Sequence, residues 1–363
     1  MVLIWRILGT QGIAAPATVD ARKTFDPASI VDSRGRFVAR LTRPRGSSGE
    51  IVTTPSLFPA RRRRRRPGVV VSVALLLALT SAASPPSGAA SVLPPLSDPA
   101  TGTHIPGKFI WFDLATADPA AAQRFYGAVF SWEFEALRGS PEKYVVIRNE
   151  GRPIAGVFRP AAAATSGKAA ATRWLSFASV ADIGRGLANM TANGATVLVP
   201  ATRVPGRGTH ALLRDAQGAL VGLLQSASGD RPDDPVPPGD FFWVDLYARD
   251  PVAAGRSYEK IGYGLSTDEV SGDERLMLSA QGYARAGIVR LPAEGREAGW
   301  LPYVQVDDVP AALARVRAAG GKVLREPDPK ILGGQVAVFA DPLGGVLGVI
   351  HWVPASGAGE KQP

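Results

Sequence analysis

Hydrophobic and polar positions alternate along short stretches of this chain and then change to a helical spacing. Phe109 to Leu114 alternates with a period of two, which predicts a strand. Asp118 and Pro119 follow, and an aspartate cap before a proline is typical of a helix start. Apolar residues then recur at helical spacing as far as Phe130. Further apolar runs predict the next strands, and together these elements form a βαβββ module.

The same order of elements returns along the chain. A second module begins with a predicted strand at 175–180, and Asp182 caps its helix, which ends before Gly194. The phrase FIWFDLATADPAAAQRFY at 109–126 then returns as FFWVDLYARDPVAAGRSY at 241–258, and WLSFASVADIGRGLANMTANGATVL returns as WLPYVQVDDVPAALARVRAAGGKVL. The chain is therefore a tandem duplication with four βαβββ modules.

The repeated phrases resemble a known family. The pattern W-x-D-L-x-x-x-D-P-x-x-A-x-x-x-Y, the V-x-D start of the second module and the D-x-x-G turns at 215–218 and 341–344 are similar to the vicinal oxygen chelate (VOC) superfamily. That superfamily contains glyoxalase I, bleomycin-resistance proteins and extradiol dioxygenases. The resemblance implies an α+β fold in which four βαβββ modules form two glyoxalase-like open-barrel domains, each around a ligand cavity.

Changes in composition along the chain predict the domain boundaries. We expect a leader without periodicity, whose true translation start lies downstream, then a signal peptide, a linker, the first VOC domain, a second linker, the second VOC domain and a disordered tail. These segments cover 1–60, 61–90, 91–103, 104–226, 227–238, 239–353 and 354–363, in that order.

The net charge of +9 belongs to the leader. Residues 1–83 hold 14 of the 41 Lys and Arg residues and 4 of the 32 Asp and Glu residues, so the remaining chain is nearly neutral. Six arginines at 61–66, an apolar run at 69–79 and small residues at 80–83 are typical of a secretory signal. We therefore expect export to the periplasm or the medium, with an uncleaved anchor as the alternative, and no nucleic-acid partner.

Metal-binding residue types are scarce in this sequence. There is no cysteine and there are three histidines. The resemblance implies metal ligands on the first and last strands of each module, and the register puts these positions at Trp111, Leu175 and Gly222 in copy one, with Trp243, Leu301 and Gly348 in copy two. None of these side chains binds a divalent ion. We therefore expect no metal and no cofactor.

An apolar pocket with one carboxylate is the remaining prediction. Residues two apart on a strand share a face, so the inward-facing candidates for ligand binding are Trp111, Asp113, Phe177, Ser179, Trp243, Asp245, Tyr303 and Gln305. Asp113 and Asp245 are the catalytic candidates, as a general base or a ligand acceptor, and a structural aspartate is the alternative. Tyr126 and Tyr258 are expected to pack in the core, with a hydroxyl that reaches the pocket rim.

Three classes of function remain open: a binding protein, an enzyme and, as the third, a pseudoenzyme that serves as an interaction module. The first is a metal-independent protein that binds a small organic molecule. The second is a VOC-type lyase, isomerase or dioxygenase that uses a pocket aspartate or a metal site outside the expected register. Whether the chain is an enzyme, and whether it forms a homodimer, stays open at this point.

Overall fold

The computed structural model describes residues 92–137, 144–160, 172–260, 262–267, 275–291, 297–329 and 331–352. The predicted leader, signal peptide and C-terminal tail lie outside these ranges. Residues 161–171, between the two modules of copy one, also lie outside them. None of the helices within the described ranges is long and apolar enough to span a membrane.

The first copy forms domain 1 from two βαβββ modules. Its elements are β1 (Phe109–Ala115), α1 (Pro119–Phe130), β2 (Glu133–Ala136), β3 (Tyr144–Asn149), β4 (Arg152–Phe158), β5 (Arg173–Ser179), α2 (Ile183–Ala192), β6 (Thr196–Val204), β7 (Gly208–Arg214) and β8 (Leu220–Ser226). The short edge strand β2 was missed from the sequence, because its residues are mostly exposed and carry no apolar alternation.

The second copy repeats this order as domain 2. Its elements are β9 (Phe241–Ala248), α3 (Pro251–Glu259), β10 (Gly264–Thr267), β11 (Leu276–Ala280), β12 (Tyr283–Arg290), β13 (Gly299–Gln305), α4 (Val309–Ala318), β14 (Lys322–Arg325), a 3₁₀ turn (Leu332–Gly334), β15 (Val336–Ala340) and β16 (Val346–Ile350).

Each domain contains one eight-stranded mixed sheet. The strand orders are β2-β3-β4-β1-β5-β8-β7-β6 and β10-β11-β12-β9-β13-β16-β15-β14. The two modules of one copy join where their first strands run antiparallel, β1 with β5 and β9 with β13. The edge strands of each sheet do not pair with each other, so both sheets are open. This confirms the predicted fold class.

Aspartate caps start each of the four α-helices in the described part of the chain, as the sequence predicts. The carboxylates of Asp118, Asp182, Asp250 and Asp308 accept hydrogen bonds from backbone N–H groups three residues further on, at 2.7–3.0 Å. Each cap satisfies a donor that the first turn cannot satisfy itself. Helix starts were therefore readable from local sequence.

The helical faces of the two domains share one apolar core, and two equivalent polar networks cross it. The Tyr126 hydroxyl of domain 1 donates to Asp341 Oδ2 of domain 2 at 2.9 Å and accepts from Trp174 Nε1 at 3.0 Å. These networks correct the expectation that the Tyr126 and Tyr258 hydroxyls reach a pocket rim. Both hydroxyls are instead buried between the domains.

The second network mirrors the first. Tyr258 donates to Asp215 Oδ2 at 3.2 Å and accepts from Trp300 Nε1 at 3.1 Å. The other oxygen of Asp215 accepts two backbone N–H groups within its own D-x-x-G turn, at 2.9 Å each. These networks thus join the two domains rather than form a pocket. Each contains a tyrosine, a tryptophan and a turn aspartate that recur in both copies.

Candidate functional site

The face of each sheet opposite the helices carries the predicted inward residues. Phe112 and Leu114 lie in the core beneath the helices, whereas Trp111 and Phe177 belong to a separate apolar cluster on the concave face. Tyr303 likewise belongs to a separate apolar cluster of domain 2, and Trp243 packs against that cluster. The alternation of each strand thus separates structural from concave-face residues.

Asp113 is held by its neighbours in domain 1. Its Oδ1 accepts hydrogen bonds from Trp111 Nε1 at 2.8 Å and from the Tyr144 hydroxyl at 2.6 Å. Burial raises the pKa of Asp113, while these two hydrogen bonds and the charge of Arg207 oppose the rise. Asp113 is only 4% exposed. Its Oδ1 atom is already occupied by two protein donors.

Arg207 fills the space above this network. Its guanidinium lies 3.5 Å from the centre of the Trp111 ring, a cation–π contact. The side chain is 2% exposed, and its three nitrogens have no hydrogen-bond partner among the described residues. Burial lowers the pKa of Arg207 to about 10, although Tyr144 and Asp113 favour the charged form. Sequence reasoning missed Arg207, because it lies in a P-G-R-G turn that predicts only a change of direction.

A segment from the predicted linker closes the concave face of domain 1. Leu93 donates its backbone N–H to Pro205 O at 3.0 Å, and the Leu93 and Leu96 side chains are buried in the same cluster as Trp111. Ser179 donates to the buried carboxylate of Asp230. The candidates of domain 1 are therefore brought together, but their polar groups and the space around them are occupied by the protein itself.

Domain 2 keeps an open cavity at the corresponding place, with a volume of about 290 Å³. Its walls are aromatic, aliphatic and charged, and they include Phe242, Trp243, Asp245, Arg275, Met277, Tyr303, Arg325, Val336, Ile350 and Trp352. Of the candidates, Trp243, Asp245 and Tyr303 line this cavity directly. A larger cavity of about 640 Å³ is also lined by Arg325, together with Tyr247 and Leu301 of domain 2 and Trp174 of domain 1.

Asp245 forms an ion pair in this cavity. Its Oδ1 accepts a hydrogen bond from Trp243 Nε1 at 2.9 Å, as in domain 1. The second donor, however, is Arg275 instead of a tyrosine. Arg275 and Tyr144 are equivalent by register, since each reaches the aspartate across a glycine, Gly287 in one domain and Gly156 in the other. The donor that reaches the aspartate across the glycine is therefore a neutral hydroxyl in domain 1 and a charged guanidinium in domain 2.

Gln305 lies behind the cavity rather than in its wall. Its side-chain amide donates to Trp352 O at 3.0 Å and its Oε1 accepts from Trp352 N at 3.2 Å. These two bonds position Trp352, whose ring stacks on Phe242 with the ring centres 6.0 Å apart. Gln305 thus acts through another residue that does contact the cavity.

The sequence of this chain matches the profile of one protein family in both domains. The profile of the Glyoxalase/Bleomycin resistance protein/Dioxygenase superfamily matches residues 108–223 and 241–348. The chain belongs to this superfamily. The two matched regions lie within the two predicted VOC domains, so the duplication and the family assignment describe the same halves of the chain.

Several known proteins are similar to this VOC chain. A protein of Mycobacterium bovis named "Putative glyoxylase CFP32" is 28% identical over 248 residues, which cover 67% of this chain and 94% of that protein. "Anthracycline biosynthesis protein DauV" of Streptomyces sp. (strain C5) is 24% identical over 261 residues, covering 68% and 94%. The Mn(II)-bound glyoxalase from Novosphingobium aromaticivorans is 16% identical with a TM-score of 0.48, covering 68% and 83%.

Rings occupy the space beside the two last-strand positions, Gly222 and Gly348, where the resemblance implies a metal ligand. A Cβ atom on Gly222 would lie 2.0 Å from Phe177 Cδ1, and one on Gly348 would lie 2.0 Å from Tyr303 Cδ1. A side chain at either position would therefore collide with the aromatic ring of the neighbouring strand. Within the described ranges, no group of three or more His, Asp or Glu side chains comes together. The residues present do not fit a chelated divalent ion.

The histidines make separate contacts. His104 Nε2 is 3.0 Å from Ser226 O, and His351 Nδ1 is 2.9 Å from Val306 O. His210 is buried, with its ring centre 6.1 Å from that of Phe177. Burial, and then the charge of Arg207, lower the pKa of His210 from 6.5 to about 4.

The depressed pKa of His210 predicts a loss of stability in mild acid. Below pH 6.5 the unfolded chain takes up a proton that the folded chain does not bind until about pH 4, so stability is present above pH 6.5 and falls below it. We expect this residue to account for about 2 kcal/mol of lost stability between pH 7 and pH 5.

Urea unfolding at several pH values tests this expectation with His210→Val, because Val336 occupies the equivalent position of domain 2. The variant should lose less stability than the parent over the same pH interval. An equal loss in both proteins would assign the acid sensitivity to other groups.

Proposed function

We propose that this chain is an exported, metal-independent VOC protein that binds a small organic molecule in the cavity of domain 2. The observation that carries the proposal is the difference between the two domains. The concave face of domain 1 is closed by Arg207 and Leu93, whereas the equivalent face of domain 2 encloses about 290 Å³ between aromatic walls. Apolar cavities with a few polar groups are typical ligand sites.

Three further observations support the parts of this proposal. The rings of Phe177 and Tyr303 beside two positions where the resemblance implies a metal ligand favour a metal-independent protein. The arginine run and apolar run of the leader favour export, and a mature N-terminus at Ser84 would support it. The similarity to an anthracycline biosynthesis protein agrees with an aromatic ligand.

We assign no catalytic base in domain 2. Asp245 Oδ1 already accepts hydrogen bonds from Trp243 and Arg275. In domain 1 the Oδ1 atom of Asp113 is shared by two donors, and Arg207 lies over the ring of one of them, Trp111. In the proposed binding protein, Asp245 therefore serves best as a group that orders the cavity wall, and Asp113 as a structural group of the closed domain.

Filling the cavity is expected to abolish binding. Val336→Trp places a large ring inside the wall of the domain 2 cavity, so 2-naphthol and 2-naphthoate should lose measurable affinity in isothermal titration calorimetry. Val197→Trp is the matched control, because Val197 lies exposed on β6 of domain 1, and it should leave both affinities unchanged.

Metal dependence is tested on the same samples. The parent protein should bind equally well before and after treatment with a chelator. Stoichiometric Zn, Ni, Mn or Fe in the purified protein, with binding lost on chelation, would contradict the proposal. Absence of any aromatic binding by the parent protein would favour an interaction module.

A further inference from the structure

Arg325 is a buried cation in the wall of the domain 2 cavity. It ends β14 and pairs with Val338 on β15, where domain 1 has Val199 paired with Leu212. Val199 is buried in the apolar cluster of domain 1, so the arginine replaces a core residue. A charge at such a position calls for a partner, because burial removes its hydration.

The two terminal nitrogens of Arg325 have no hydrogen-bond partner among the described residues. The residue is 5% exposed, so water does not replace the missing acceptors freely. Buried polar groups are almost always satisfied in folded proteins, and a buried ion without a partner is costly. The orphaned nitrogens therefore mark a place where an acceptor is expected.

The protein groups around Arg325 do not supply that acceptor at its two terminal nitrogens. The charged or titratable groups that act on it are Asp245, Asp328, Tyr247 and Tyr303. Asp245 is paired with Arg275, and burial raises the pKa of Tyr247 to about 12, which keeps its hydroxyl neutral at pH 7. No group of the described residues, Asp328 included, hydrogen-bonds these two nitrogens, so a ligand must supply the anion. Arg325 borders both cavities, and we take the one of about 290 Å³ because its wall also holds Phe242 and Trp352.

We infer that the ligand of domain 2 carries a carboxylate that pairs with Arg325, on an apolar and preferably aromatic body. This inference rests on the proposed binding function of the same cavity. A guanidinium presents parallel N–H groups that match the two oxygens of a carboxylate. The rest of the wall near it, with Phe242, Met277, Val336 and Trp352, suits a ring. The size of the cavity favours a monocarboxylic acid of one or two rings.

The test compares a carboxylate with its neutral amide. The probes are 2-naphthoate and 2-naphthamide, which share one shape and differ in charge, and their affinities are measured by calorimetry. We expect the parent protein to prefer the carboxylate by about 10-fold or more. Arg325→Met should remove this preference by weakening the carboxylate while the amide changes little. Arg203→Met, which removes the same charge from an exposed site on β6, should leave it intact.

Each outcome decides the inference. Equal affinity for the two probes in the parent protein, or an unchanged preference in Arg325→Met, would overturn it. If 2-naphthol binds and Val336→Trp blocks it while naphthoate shows no advantage, the proposed function stands and this inference fails. If no aromatic compound binds, both fail. Arg325→Lys keeps the charge without the planar fork, so it should retain a reduced preference and carries the test if Arg325→Met does not fold.

Discussion

Replacing Trp132 with alanine is expected to lower the free energy of unfolding by about 3–5 kcal/mol. The indole is buried between the domains, and its ring contacts include Tyr126, Trp174 and Phe241 of domain 2. Its Nε1 also donates to Gly239 O at 2.8 Å across the domain boundary. The substitution therefore removes apolar burial and leaves a buried carbonyl without its donor.

Urea unfolding followed by circular dichroism measures this effect. Trp132→Phe keeps a ring but loses the hydrogen bond, so it should cost much less than the alanine variant. Trp352→Ala is the control for loss of an indole, since Trp352 is 43% exposed, and it should change stability only slightly. A cost below about 1 kcal/mol for Trp132→Ala would show that the domains do not depend on this contact.

Gly222→Val is expected to destabilise domain 1 by about 3 kcal/mol or more, because overpacking a core costs about 1–3 kcal/mol for modest additions and more when the site cannot move. The first added carbon would already lie 2.0 Å from Phe177 Cδ1 and 2.4 Å from two further ring atoms. Phe177 is itself 2% exposed, so its ring has little space to retreat.

The matched control is Gly299→Val, at the start of β13. A Cβ atom at Gly299 would meet no atom within 4 Å, so this variant should stay within about 0.5 kcal/mol of the parent. The double variant Gly222→Val with Phe177→Ala should recover part of the loss, because the ring is the obstacle. If Phe177→Ala adds its full cost to Gly222→Val, the ring does not obstruct a side chain at position 222 in the manner described.

The site of the second prediction, Gly222, shows what the sequence predicted and what it missed. The resemblance puts a metal ligand at the position of Gly222, and that placement stays a prediction. The reason for the glycine was invisible, since it lies in a ring on the neighbouring strand. The glycine and the ring pair across β5 and β8, a contact that no local pattern encodes.

The sequence also grouped residues that the structure separates by role. Tyr126, Trp174 and the turn aspartates recur in both copies, as the pocket candidates do, yet they form the networks between the domains. Recurrence in a duplication does not distinguish an interface from a pocket, because both are inherited together. The distance of 215 residues between Tyr126 and Asp341 makes such a contact unreadable from spacing.

The structural asymmetry of the two domains depends on arginines that sequence reasoning did not single out. Arg207 lies over Trp111, 96 positions away in the chain, and Arg275 and Arg325 face Asp245 and the cavity of domain 2. A long, flexible side chain can place its charge several ångströms from its own backbone. Only the packing around it decides whether that charge fills a cavity, pairs with a carboxylate or stays open to a ligand.

The resemblance to the family implied the open-sheet fold, whereas the sequence by itself determined the modules, the helix starts and the face of each strand. These properties depend on local periodicity and capping, which a few neighbouring residues encode. The tertiary structure alone decided that domain 1 is closed, that domain 2 keeps a cavity and that, among the described residues, the terminal nitrogens of Arg325 have no hydrogen-bond acceptor. Those features arise from contacts between distant segments, where shape and burial, rather than residue type, determine which groups meet.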